Sequence, residues 1–243
     1  PQGPQGAAVL QALSGGRTSS LASTLLCMEG AGVPPAGLRF GTDGVRARVG
    51  TRLDEAVVRA LGAAAAGFLG ADRVFVGRDT RESGPGLSRA LAEGLSVGGL
   101  DVVQMGVVPT PAVAHAAAAG AAAAAMVSAS HNPWQDNGVK LFSAGGLKLD
   151  DAVQAAVQDA WDTTPRLEDP VPVDGWSDDA STEASYRWVD AVVASVRPGA
   201  LAGLGLVVDC ANGATSSLAG GALARLGADV TAINSEPDGR NIN

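Results

Sequence analysis

The chain is poor in lysine: of its 17 basic residues, only Lys140 and Lys148 are not arginine. Set against 25 acidic residues, this gives a formal net charge of −8 at neutral pH. A surface that grips a phosphate backbone is usually basic, so no nucleic-acid partner is expected. Any anion site must therefore be built locally. Cysteine occurs only at Cys27 and Cys210, far apart and in no CxxC pair. That excludes a disulfide scaffold and points to a reducing compartment, expected to be the cytoplasm. Histidine occurs only at His115 and His131, too few for a histidine-rich metal cage, and HExxH is absent. No stretch reaches the roughly 18–20 uninterrupted apolar residues of a membrane span. The longest weakly apolar run, Ala112 to Val127, is nearly all alanine, so no membrane partner is expected either.

Hydrophobic residues are plentiful, at 46% of the 243 residues. That is enough for a core and excludes wholesale disorder. The length fits one large domain or two small ones. Residues 1–39 are rich in Gly, Pro, Ser and Ala with little periodicity. They read as a disordered extension or as sequence foreign to the fold, and as a poor signal peptide.

From Phe40 onward the pattern alternates. Leu53, Val57, Val58, Leu61 and Phe68 lie at helical spacing. Arg73–Val76 reads as a buried strand ending at Gly77. Pro85 opens a helix with Leu87, Leu91 and Leu95 on one face. Residues 102–108 form a second strand, and Pro109 and Pro111 open an alanine-rich helix. Ala124–Val127 and Val139–Phe142 read as strands, Asp136-Asn137-Gly138 as a tight turn, and Asp150–Trp161 as a helix. The alternation predicts an α/β domain with a largely parallel sheet over residues 40–165. A Pro- and Asp-rich linker covers 166–182. In 183–243 follow a helix, a strand at Leu204–Asp209, a helix and a strand at Asp229–Ile233. Two strands leave an apolar sheet face uncovered, so the second unit is expected to be a truncated domain.

Chemistry concentrates at Ser128-Ala129-Ser130-His131-Asn132-Pro133. This run follows an apolar strand, and open α/β sheets place ligands beyond the carboxyl ends of their strands. Small residues let backbone N–H groups face an anion. Ser130 offers a hydroxyl, and His131 can donate to an anion or move a proton. Lys140 would aim its ammonium back at the loop. Residue types alone leave a surface turn with an incidental serine and histidine equally open. Arg78, Asp79 and Arg81 read first as a local brace at a strand end. Asp209–Ala214 reads as an ordinary turn between strand and helix, and Cys210 as a small buried hydrophobe.

Ser128–Pro133 resembles the active-site serine signature of the phosphohexomutases, the α-D-phosphohexomutase superfamily. Phe40-Gly41-Thr42-Asp43-Gly44-Val45-Arg46 resembles the opening of its phosphoglucosamine mutase branch. Four further stretches agree in order and spacing: Val76–Gly84, Gly106–Pro111, Asp136–Lys140 and Glu236–Asn243. The resemblance covers Phe40 to Asn243. It implies a three-layer αβα domain I followed by part of a similar domain II. It implies that Ser130 carries a phosphoryl group, passes it to a hexose phosphate or glucosamine phosphate, and recovers it through a bisphosphate intermediate. His131 would contact the phosphoserine, Lys140 would serve as base, and Arg46 would stabilise charge, with Asp43 orienting it. Mg²⁺ would be held through Ser130. The family's Asp-x-Asp-x-Asp metal run has no counterpart here. The chain is therefore expected to need the missing C-terminal domains of the same enzyme and to be inactive alone. A phosphomannomutase/phosphoglucomutase of the same superfamily, or a non-catalytic remnant, are the alternatives.

Overall fold

A computed structural model describes residues 37–41, 43–176 and 183–243. The expected extension over 1–39 falls almost wholly outside the described residues, as do Thr42 and the end of the expected linker. The first elements are β1 (Val45–Arg48), α1 (Glu55–Ala65), β2 (Arg73–Arg78), α2 (Gly84–Val97) and β3 (Asp101–Val107). They are followed by α3 (Thr110–Gly120), β4 (Ala123–Val127), β5 (Asp136–Ser143), β6 (Leu147–Lys148) and α4 (Asp151–Thr163). Further along the chain come α5 (Glu183–Ala194), β7 (Gly205–Asp209), α6 (Ala219–Arg225) and β8 (Asp229–Ile233).

Local chemistry explains the helices. Asp54 caps α1 by accepting from the Val57 amide at 2.9 Å, and Asp150 caps α4 through Val153 at 2.8 Å. Leu87, Leu91 and Leu95 recur every fourth residue along α2 and are all buried. Pro85 sits at the second helical position, where its missing N–H costs nothing. Across the α1–α2 contact a buried ion pair joins Arg59 to Glu93 at 2.5 Å, and Arg59 also donates to the Leu167 carbonyl.

The main sheet runs β1-β5-β4-β2-β3, with β6 beside β5. Side-chain alternation gives it two apolar faces. Phe75, Met105, Ala124, Met126 and Phe142 face α3, whose Ala112, Val113 and Ala117 complete a buried cluster. Val74, Val76, Ala125 and Val127 are buried on the other face, towards α2. This is the expected αβα sandwich, but the sheet is not largely parallel. β2 runs parallel to β3 and β4, whereas β4–β5, β5–β1 and β5–β6 are antiparallel. The reason is the short link between β4 and β5. A parallel crossover needs about a dozen residues or more, and a shorter connection must turn back.

The expected turn at Asp136-Asn137-Gly138 is likewise the start of β5. Asn137 is completely buried opposite Ala47 and donates through Nδ2 to Ser83 Oγ at 2.9 Å. Buried partners thus override turn-like residue types. β7 and β8 pair in parallel as a separate two-stranded sheet, with Val207 and Ile233 exposed.

Candidate active site

β4 is buried along its whole length, and its carboxyl end opens directly into Ser128. Two neighbours anchor the exit. The Asp79 amide donates to Val127 O at 3.0 Å, and the Ser128 amide donates to Gly138 O at 3.0 Å. Beyond them Ser130 adopts a left-handed backbone with φ of +57°. For a residue with a Cβ this costs on the order of 1–3 kcal/mol and persists only where the surroundings enforce it.

The enforcement comes from Arg81 and Asp79. Arg81 is 1% exposed. Its Nε donates to Asp79 Oδ2 at 2.9 Å, its Nη2 to the carbonyls of Ser130 (2.8 Å) and Asn132 (2.9 Å), and its Nη1 to those of Pro133 (2.6 Å) and Asp136 (3.0 Å). Asp79 Oδ2 also accepts from Ser128 Oγ at 2.6 Å, and that oxygen accepts from the Ser130 amide at 3.0 Å. Both backbone polar groups of Ser130 are therefore held. Its side chain is exposed, with Oγ 3.0 Å from His131 Nδ1.

Ser130 and His131 thus lie with their side chains in contact. Lys140 lies within β5, opposite Met126, rather than at a strand start. Its Nζ lies 3.9 Å from Asp43 Oδ1 and 5.6 Å from the centre of the Phe142 ring. Asp43 thus faces Lys140 and not Arg46, which corrects the expected pairing. Arg46 is exposed on β1 opposite Gly138, and its stem crosses that glycine beside Ser128 O. Among the described residues it has no ion-pair partner.

Arg81 was legible only as a local brace. Its pairing with Asp79 is local, but the four carbonyls it gathers lie about fifty residues on. Asn243 was legible only as the end of a family-like stretch and not as part of the site. Its Nδ2 donates to Ser130 O at 3.1 Å and lies 3.4 Å from Asn132 O. The Asp209–Ala214 turn is also more than a connection, because Thr80 Oγ1 donates to Asn212 O at 2.6 Å.

The implied Mg²⁺ finds no adequate donor set here. Among the described residues no three His, Cys, Asp or Glu side chains cluster to hold a metal ion. Two carboxylates touch the loop and both are engaged there, Asp79 by Arg81 and Ser128 and Asp136 by Asn132 Nδ2 at 3.0 Å. A hard cation wants about six oxygen ligands, and Ser130 Oγ alone does not provide them.

At the rim, Glu82 and Arg240 form a two-pronged ion pair at 2.6 and 3.0 Å. Arg240 also lies 5.3 Å from the centre of the Trp134 ring. The hydrogen bonds from Arg240 hold the Glu82 carboxyl below the usual glutamate range. Because that value is depressed in the folded state, the stabilisation is present at neutral pH and is lost as acid protonates Glu82. Trp134 emission, taken as the difference from Trp134→Phe, is expected to change only below the ordinary glutamate range. The same acid change persisting in Glu82→Gln would disprove the assignment.

This is an α/β sandwich that presents one constrained, exposed serine at the end of a central strand. The chain belongs to the phosphoglucomutase/phosphomannomutase family, whose model for alpha/beta/alpha domain I matches residues 37–167. Among its relatives is a phosphoglucosamine mutase of Rhodococcus erythropolis, 46% identical over 85% of this chain and 48% of that protein. Another, from Bifidobacterium adolescentis, is 42% identical over 84% of this chain and 48% of its own length. A crystal structure of a candidate phosphomannomutase from Thermus thermophilus superposes with a TM-score of 0.70 at 30% identity, covering 84% of this chain and 47% of that one. A phosphoglucomutase/phosphomannomutase family protein from Burkholderia thailandensis gives 0.64 at 31% identity, covering 84% and 45%. The chain spans about half the length of the curated relatives it matches. Among the described residues no helix is long and apolar enough to cross a membrane.

Proposed function

We propose that Ser130 is the phosphoryl carrier of a phosphoglucosamine mutase acting in the cytoplasm. Such an enzyme interconverts glucosamine 6-phosphate and glucosamine 1-phosphate. Phospho-Ser130 gives its phosphoryl group to the free hydroxyl of the sugar phosphate. The bond from phosphorus to Ser130 Oγ breaks, a bond to the sugar oxygen forms, and a bisphosphate results. After the sugar turns around, its other phosphate returns to Ser130.

The observation that carries this reading is the held backbone of Ser130 beneath an exposed Oγ. Phosphoryl transfer depends on positioning and charge more than on covalent chemistry. Its neighbour His131 holds Nδ1 within hydrogen-bonding distance of that oxygen. Lys140 is assigned the proton of the sugar hydroxyl. Arg46, whose planar guanidinium suits two phosphate oxygens at once, is assigned the transferring phosphate. Residues 40–165 serve as domain I, 166–182 as linker and 183–243 as part of domain II. The carboxylates for Mg²⁺ and the groups that read the sugar belong to parts of the enzyme outside this chain. The two structural relatives favour a second reading, a phosphomannomutase/phosphoglucomutase with the same serine chemistry.

Intact-mass measurement and peptide mapping of the full-length gene product test the proposal. A single phosphoryl group is expected on the peptide containing Ser130, absent in Ser130→Ala. Turnover of glucosamine phosphate in preference to mannose or glucose phosphate separates the two readings. No phosphate on Ser130 after incubation with glucosamine or glucose 1,6-bisphosphate and Mg²⁺ would overturn both and leave a domain that kept its fold without its chemistry.

A further inference from the structure

The segment Glu236–Asn243 leaves the second sheet and returns to the Ser130 loop. Several contacts fix its course. The Glu82 amide donates to Gly239 O at 2.9 Å, beside the Glu82–Arg240 ion pair. Asn212 spans the segment from within, accepting from the Glu236 amide at 3.1 Å and donating to Asn241 O at 3.0 Å. Ile242 is buried. The Asn243 amide donates to Ala211 O at 2.9 Å. The backbone is thus set before the Asn243 side chain reaches anything.

What that side chain reaches is the carbonyl of Ser130. Arg81 Nη2 donates to the same oxygen from the buried side. A carbonyl with two lone pairs can accept both. The Ser130–His131 peptide plane is then gripped from two sides. That plane and φ of Ser130 decide where Oγ and the His131 ring point. One grip comes from the strand framework; the other comes from more than a hundred residues further along the chain.

We propose that Asn243 is a positioning residue for Ser130, delivered to it by the Glu82–Arg240 latch. This rests on Ser130 being the phosphoryl carrier, and it adds that the aim of the carrier depends on the docking of the second unit's tail. Asn243 touches neither reacting atom, so its effect falls on turnover and not on substrate affinity.

In the full-length gene product, Asn243→Ala is expected to lower kcat about tenfold with KM unchanged, since small displacements of a reacting group carry penalties of that order or larger. Arg240→Met keeps Asn243 but releases the latch, and is expected to lower kcat in the same way by a smaller factor. In the 243-residue chain, the carbonyl ¹³C resonance of Ser130 should shift in Asn243→Ala, while that of a remote residue such as Val57 stays in place. Wild-type kcat in Asn243→Ala, or a rise in KM at constant kcat, would overturn the proposal. So would an unmoved Ser130 carbonyl. If the unsubstituted enzyme never carries phosphate on Ser130, it is the mutase reading that fails, and the carbonyl resonance still decides whether Asn243 holds the loop.

Discussion

Replacing Arg81 with methionine is expected to destabilise the protein by about 3–5 kcal/mol, the usual cost of leaving one partner of a buried ion pair alone. All five guanidinium N–H groups are engaged, one by Asp79 and four by backbone carbonyls of the Ser130 loop. Methionine fills similar space but donates nothing. It would strand the Asp79 carboxylate and leave those carbonyls short of a donor, each at a cost on the order of 1–3 kcal/mol where water cannot enter. Lysine is not a substitute, because its three donors radiate from one point and cannot copy a planar fork. Arg81→Lys is therefore expected to lose nearly as much. Urea denaturation reads both variants. Adding Asp79→Asn to Arg81→Met should recover part of the loss, since the orphaned charge is then gone, and a double-mutant cycle measures that coupling. Arg81→Lys within about 1 kcal/mol of the parent, the range of an ordinary surface change, would show the fork to be dispensable.

The same residue shows where sequence reading stops. Helices were legible because their signals are local: Val57, Val58 and Leu61 at helical spacing in α1, and leucines every fourth residue in α2. The serine loop was legible because a buried strand leads into it. β1 was not, because its alternation of Val45, Arg46, Ala47 and Arg48 is only four residues long and only Val45 is buried. The antiparallel return of β5 was hidden by Asp136-Asn137-Gly138, whose residue types belong equally to turns. Lys140 was expected to face the loop, and its contact with Asp43 became apparent only once the β1–β5 register was known. Arg81 and Asn243 act on backbone carbonyls, and a carbonyl leaves no trace in residue identity. The parts of a site made from main chain are those that a sequence conceals.

That holds again at the seam between β1 and β5, where Gly44→Ala is expected to have the second large effect. Gly44 has φ of +78°. A methyl group there would stand 2.0 Å from Val139 O and 2.9 Å from Lys140 Cα. Both are backbone atoms and cannot swing aside. The left-handed conformation alone costs alanine about 1–2 kcal/mol, and the overlap adds about 1–3 kcal/mol. To relieve it, β1 must lift from β5 just where Val45 meets Val139 and Arg46 meets Gly138. Arg46 would then leave the edge of the serine loop, so on the proposed function turnover by the full-length gene product should fall together with stability. Gly50 supplies the control. Its φ is +79°, but an added methyl group would meet nothing within 4 Å. Gly50→Ala should therefore show the conformational cost alone and leave the turnover of the full-length gene product unchanged. Equal melting shifts for the two variants would mean that β1 yields without penalty, and that Arg46 is not held where β5 places it.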